Sequence, residues 1–270
     1  MPNVLLFREP SKGEDRYESL LTAAGYTAKS IPVLETVHVN TDELARRLLE
    51  EYTTYSGVVI TSKRSCEALH DALNSIEDID ALSRALATWS TLPFYVVGEG
   101  TSSAIRRVQS AYQTRGFTQV LTAGEPSGTG EQLGHFIVKH HATGSKALLY
   151  LTGDKNRDTV PTILGKSHVA FQSLQVYETR GRSDFESLLE QSLALDDRPQ
   201  WVVHFAPSST AFVVPILERH PPLPSARVAA IGPVTSNFIH DKLHLEVHAV
   251  ASSPSPEELV DAIVQYDRKR

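Results

Sequence analysis

Four short hydroxyl-bearing stretches carry most of the chemistry open to this chain: Thr61-Ser62-Lys63-Arg64, Gly98-Glu99-Gly100-Thr101-Ser102, Pro207-Ser208-Ser209-Thr210 and Gly232-Pro233-Val234-Thr235-Ser236. Each follows an apolar, β-branched run and opens a stretch with helical periodicity. Each therefore presents backbone N–H groups and small hydroxyls at a helix N-terminus, a setting that suits a carboxylate or phosphate. Taken singly, any one of them reads first as an N-cap. Four at the carboxyl ends of strands point to ligand binding, because that edge of an open α/β sheet is where ligands sit. The glycine pair Gly98 and Gly100 lacks a third glycine at Ser103, so it reads as a tight strand-to-helix turn and not as a dinucleotide loop.

Proton-transfer groups are scarcer. Tyr177 ends a long strand-like run and has two readings, a phenol that donates a proton into a cleft or a packed strand tyrosine. Phenols ionise at about pH 10, so they offer a proton at neutral pH without tuning. His204 lies inside an apolar strand and reads as a satisfied core histidine, while His140, His141 and His240 read as exposed or structural. No G-x-S-x-G elbow, P-loop or H-E-x-x-H motif is present, and no Cys or His cluster has zinc-ligand spacing.

The elements that must position these groups run twice through the chain. The first pass reads Val4 to Arg8, Gly57 to Ser62, Phe94 to Gly98 and Gln119 to Gly124; the second reads Ala147 to Gly153, Gln200 to Phe205, Arg227 to Gly232 and Glu246 to Ala251. A repeat this long means two similar domains and not a solenoid. Within each pass strands alternate with helices, such as Tyr17–Gly25 and Cys66–Leu73, the pattern of a parallel sheet covered on both faces. The last helix of each pass opens with a capping-box pattern, Thr129-x-x-Gln132 and Ser255-x-x-Glu258. Two segments break the alternation, Ser30–Val39 and Phe171–Arg180; each reads as one long strand able to run from one domain into the other.

Composition narrows the function classes. With 26 basic and 32 acidic residues the net charge is −6, and the only basic cluster at an end is Arg268-Lys269-Arg270, which argues against a nucleic-acid binder. The single cysteine, Cys66, cannot close an intrachain disulfide. The start of the chain shows no leader pattern, and the longest apolar runs fall far short of the ~20 residues of a membrane helix. The expectation is a soluble, cytoplasmic, metal-free protein.

Taken together, Val58-Val59-Ile60-Thr61-Ser62-x-Arg64-Ser65, Val96-Val97-Gly98-x-x-Thr101, Leu174-Gln175-Val176-Tyr177-Glu178-Thr179, Phe205-x-Pro207-Ser208, Ala229-Ala230-Ile231-Gly232-Pro233-x-Thr235 and Ser253-Pro254-Ser255-Pro256-Glu257-Glu258-Leu259 resemble the uroporphyrinogen-III synthase family, over essentially the whole chain. The resemblance implies two similar doubly wound parallel α/β lobes joined by a two-stranded connector. Lobe 1 is expected at 1–35 plus 182–270, lobe 2 at 41–172, and the connector strands at 36–40 and 173–181. It implies a lyase that closes hydroxymethylbilane, a linear tetrapyrrole bearing many carboxylates, with loss of water and inversion of ring D. The family's route runs through an azafulvene and a spiro intermediate. The same substrate closes unaided to the uninverted isomer, so catalysis must govern conformation more than supply strong acids.

By the same resemblance Tyr177 assists departure of the hydroxyl, and Thr61, Ser62, Thr101 and Thr235 are cleft positions. Arg64, Gly98, Ser102, Ser208, Ser209 and Gly232 complete the expected substrate-binding set. Ala206 and Val234 depart from the family pattern, in which serine is frequent at the first position and threonine common at the second. No cofactor is expected. The expected partners are the tetrapyrrole substrate and, transiently, the enzyme of the preceding step, with a monomeric chain and neither nucleic acid nor membrane. The competing readings are a non-enzymatic two-lobed sensor for an anionic small molecule and a dinucleotide-dependent enzyme.

Overall fold

The computed structural model describes residues 3–142, 144–193, 199–220, 223 and 225–269, so Arg270 of the basic tail lies outside the described residues. In chain order the elements are β1 (Val4–Phe7), α1 (Arg16–Ala23), β2 (Ala28–Ser30), β3 (Leu34–His38), α2 (Thr41–Glu50), β4 (Tyr55–Ile60), α3 (Lys63–Asn74), α4 (Ile79–Trp89), β5 (Pro93–Val96) and α5 (Gly98–Ala111). They continue with β6 (Leu121–Ala123), α6 (Gly130–His140), β7 (Ala147–Gly153), α7 (Thr159–Lys166), β8 (Phe171–Gly181), α8 (Phe185–Leu193), β9 (Trp201–His204), α9 (Pro207–Leu217), β10 (Arg227–Ala230), α10 (Pro233–Leu243), β11 (Ala249–Val250) and α11 (Pro256–Arg268). Among the described residues no helix is long and apolar enough to cross a membrane.

The chain divides into two compact units, Met1–Glu35 with Arg180–Arg270 and Thr36–Thr179. It passes from the first unit to the second within β3 and returns within β8. The first unit holds a five-stranded parallel sheet of order β11-β10-β9-β1-β2; the second unit's sheet has order β3-β8-β7-β4-β5-β6. The opening β1-α1-β2 segment thus joins the sheet of the chain's C-terminal part. In the second sheet β7 occupies, beside β4, the place that β1 takes beside β9 in the first. The Val39 N–H donates to Val176 O and the Arg182 N–H to Val33 O, so β3 runs antiparallel to β8.

Period-two alternation in strands buried on both faces explains the layering. On β4, Val58 and Ile60 enter one core with Leu69, Trp89 and Phe117, while Val59 enters another with Tyr95, Leu133 and Tyr150. On β1, Val4 and Leu6 pack with Leu21, Trp201 and Leu259, and Leu5 and Phe7 pack with Phe185, Val202 and Val213. Each sheet is therefore covered on both faces, the doubly wound arrangement.

Three expectations need correction. Ser30–Val39 is not one strand: the run breaks at Ile31-Pro32-Val33, and β2 and β3 join different sheets. Proline lacks the N–H that a ladder requires, so Pro32 interrupts the pairing. The capping boxes are half formed. Thr129 and Ser255 accept from the Gln132 and Glu258 N–H groups as N-caps should, but the Gln132 amide oxygen accepts from Gly128 N and Glu258 accepts from the Ser252 hydroxyl. His204 is buried as foreseen but not satisfied, because its Nδ1 has no hydrogen-bond partner.

Burial pushes the His204 imidazole from its ordinary 6.5 down to about 4. Between those values the unfolded chain takes up a proton that the folded chain refuses, so stability falls as pH drops through that window and is fully present above it. The expected loss is about 2 kcal/mol between pH 7 and pH 5. Urea unfolding at both pH values checks this, and in His204→Leu that part of the slope should vanish; an unchanged slope would assign it to other groups.

Candidate active site

At the carboxyl edge of the second unit's sheet, the residues leaving β4, β7 and β8 surround a cleft of about 500 Å³. Thr61 and Ser62 follow β4; Lys155, Asn156 and Arg157 come from the loop after β7; Tyr177 reaches in from β8, and Thr129, Gly130 and Glu131 from the start of α6. Tyr150 of β7 forms part of the lining from below. It is only 1 % exposed, and its phenol donates to Asn156 Oδ1 at 3.1 Å. Burial pushes that phenol above its ordinary range, against its hydrogen bonds with Thr61 and Asn156. The Arg64 guanidinium carbon lies 5.8 Å from the centre of the Tyr177 ring, within cation–π distance.

Of the expected site residues, the structure brings Thr61, Ser62 and Tyr177 to one cleft, with Arg64 beside the tyrosine. Gly98, Thr101 and Ser102 open α5 at the same sheet edge, but the two hydroxyl residues face inward. Thr101 is 6 % exposed; Ser102 is fully buried, donating to Glu125 Oε1 and accepting from the Arg106 Nε–H, both at 3.3 Å. Gly98 sits at φ +72°, a left-handed conformation that favours glycine at this strand-to-helix turn. Ser208, Ser209, Gly232 and Thr235 belong to the first unit, where they open α9 and α10 after β9 and β10. Ser208 is exposed, whereas Thr235 is buried and the buried Ser209 hydroxyl donates to Ala206 O at 3.0 Å.

The hydroxyl rows therefore differ from the reading as caps and donors. Only Ser62 caps its helix, accepting from the Arg64 N–H at 3.2 Å. The other N-cap positions are Val97, Ala206 and Gly232, whose side chains make no cap bond. By contrast α1, α4, α6 and α11 carry Asp15, Asp78, Thr129 and Ser255 as working caps. Helices α5, α9 and α10 thus begin with first-turn N–H groups that no cap side chain satisfies, and such groups favour an anion.

Sequence reasoning missed Tyr150, Lys155, Asn156 and Arg157. The signal was present: β7 ends in Thr152-Gly153, as β4 runs into Thr61-Ser62 and β10 into Ile231-Gly232, and two cations follow within four residues. Cys66 is no nucleophile here, since burial pushes its thiol up to about 12.

Two doubly wound sheets, one parallel and the other parallel but for its edge strand β3, with a cleft of hydroxyls, phenols and cations at a strand-end edge, define the class: an α/β enzyme. The family described as uroporphyrinogen-III synthase HemD matches residues 15–261. Uroporphyrinogen-III synthase of Schizosaccharomyces pombe is 30% identical across 100% of this chain and 99% of its own, and that of Saccharomyces cerevisiae is 29% identical across 99% and 97%. The crystal structure of uroporphyrinogen-III synthetase from Helicobacter pylori 26695 is 17% identical, covering 98% of this chain and 99% of that one, with a TM-score of 0.48. The chain belongs to the uroporphyrinogen-III synthase family, enzymes of the cyclising lyase type in tetrapyrrole biosynthesis, and the sensor alternative is not favoured.

Proposed function

We propose that this chain closes hydroxymethylbilane to uroporphyrinogen III, and that the cleft of the second unit holds the reacting end of the substrate. The observation that carries the site assignment is the meeting of Tyr177, Thr61 and Ser62 in one cleft with Lys155 and Arg157. The two cations suit substrate carboxylates, and the uncapped start of α5 in the same unit supplies N–H donors for more of them. Tyr177 is the proton donor in this reading. As the C–O bond of the terminal hydroxymethyl group breaks, its electron pair goes to oxygen, which takes the phenol's proton and leaves as water. Electrons from the pyrrole nitrogen, which keeps its proton, complete the cationic azafulvenium. Ring D then attacks through its substituted carbon, and the spiro intermediate fragments and recloses inverted. The proton lost from the last ring carbon to close restores the phenol.

In this proposal the protein works in the cytoplasm as a monomer and meets the enzyme of the preceding step transiently. Support for the compartment comes from the single cysteine, Cys66, which is buried and cannot close an intrachain disulfide. Incubation with freshly generated hydroxymethylbilane, followed by separation of the isomers, tests the function. Isomer III formed faster than the unaided closure is expected; isomer I alone, at the uncatalysed rate, would overturn the assignment.

The cleft hydroxyls should matter unequally. Thr61→Ala is expected to slow turnover about five-fold, the worth of one net hydrogen bond, with little effect on stability. Ser62→Ala is expected to cost about 1 kcal/mol of stability, because it uncaps α3. Steady-state rates alongside thermal unfolding separate the two. Complete inactivation of a folded Thr61→Ala protein would reveal a discrete catalytic threonine.

A further inference from the structure

We propose that Gly153 is a positioning residue for Tyr177, its bare Cα forming the seat on which the phenol ring lies. The inference rests on the reading of Tyr177 as proton donor. Strands β7 and β8 pair in step from Leu148 with Phe171 to Thr152 with Gln175, but the next pair is Gly153 with Tyr177. Val176 is the extra residue of a β-bulge. Without it Val176 would stand opposite Gly153 and Tyr177 one step beyond, so the bulge brings the tyrosine back onto the glycine.

The residue after Gly153 is held to β8 by two bonds. The Asp154 N–H donates to Tyr177 O at 3.2 Å, and the Asp154 carboxylate accepts from the Thr179 N–H at 3.2 Å. A Cβ at position 153 would lie 2.3 Å from Tyr177 Cζ, 2.5 Å from Cε2 and 2.7 Å from the phenol oxygen. Such distances are not tolerated between non-bonded heavy atoms. The ring cannot keep its place over any residue larger than glycine, and a single methyl group must swing the hydroxyl away from the reacting atoms. Loss of alignment of this order is costly to a proton transfer while leaving substrate binding nearly unchanged.

The test is a double-mutant cycle on the full-length chain, with rate, KM and isomer ratio measured for Gly153→Ala, Tyr177→Phe and the double variant. Gly153→Ala is expected to lower kcat ten-fold or more, to hold KM within about two-fold and to raise the share of isomer I. The double variant should be no slower than Tyr177→Phe alone, a non-additivity that general loosening of the fold would not produce. Gly165→Ala, where an added Cβ meets nothing within 4 Å, serves as the control and should be silent. Additive losses, or wild-type kcat in Gly153→Ala, would overturn the proposal. A wild-type rate in Tyr177→Phe would instead remove the reading beneath it. If Gly153→Ala does not fold, NMR of the unaltered protein decides the seating: the Gly153 Hα signals should be shifted by the ring, retained in Tyr177→Phe and lost in Tyr177→Leu. Unshifted signals would overturn it as well.

Discussion

Replacing Tyr177 with phenylalanine is expected to leave the fold intact and to slow turnover roughly ten- to a thousand-fold, the upper part of that span overlapping the usual range for a general acid. The ring that packs against the core beside β8 and over Gly153 is retained, and only the hydroxyl is lost. Neighbouring hydroxyls cannot replace it easily: the Ser62 hydroxyl is an aliphatic alcohol, a far weaker acid than a phenol, and the Tyr150 proton is given to Asn156. As the enzymic route slows, unaided closure of the bilane competes and the fraction of isomer I should rise. Rate and isomer ratio measured on the same samples provide the check. Near-normal values for both would leave substrate conformation, held by backbone N–H groups, as the main source of catalysis.

The largest effect on stability is expected at Asp267, in the last turn of α11. Its carboxylate accepts from the Tyr26 hydroxyl at 2.7 Å, from Trp201 Nε1 at 3.0 Å and from the Arg227 guanidinium at 2.5 Å. These donors come from the loop before β2, from β9 and from β10, so one side chain ties both separate chain segments of the first unit together. Carboxylate proximity also pushes the Tyr26 phenol up to about 12, after burial as the larger cause. Asp267→Ala leaves Trp201, which is fully buried, with a donor and no acceptor, and frees the Arg227 charge. A stranded buried donor costs about 1–3 kcal/mol, and the total expected loss is about 3 kcal/mol. Thermal and urea unfolding measure it; a change under about 1 kcal/mol would show that water or a neighbouring group replaces the carboxylate.

What could be read in the sequence followed short-range rules. Runs such as Val58-Val59-Ile60 and Leu148-Leu149-Tyr150-Leu151 are strands because buried parallel strands need apolar residues on both faces. The glycine after α1 and the hydroxyls at Thr129 and Ser255 mark helix ends for local reasons. Three things were not legible, each because it depends on a partner distant in sequence. Whether Ser102 and Ser209 look outward or inward is set by the sheets they pack on, and Ser102 is claimed by Glu125 and Arg106. Tyr150 reads as one more apolar strand residue until the loop carrying Asn156 closes over it. The break at Pro32 was visible, but its consequence, two strands in two sheets, depends on where β8 runs. For Tyr177 the sequence supplied the residue and the strand, while the bulge and the glycine that aim it exist only in the pairing of β7 with β8.

The placement of β1 has a consequence for biosynthesis. This strand is made before the other strands of its sheet, yet it is an inner strand, paired on one side with β2 and on the other with β9. On the ribosome the whole of the second unit emerges before β9 does, which at about 5–20 residues per second is a delay of roughly ten seconds or more. Throughout that time Val4-Leu5-Leu6-Phe7 has one open edge and apolar faces that lack most of their packing partners, among them Trp201, Val213 and Leu259, the features that invite pairing with a stranger. The second unit can complete its core while translation continues; the first cannot until α11 has left the exit tunnel. The nascent chain is thus most exposed to aggregation at β1, and a chaperone that shelters this strand would protect the yield of folded protein more than one that acts after α11 is made.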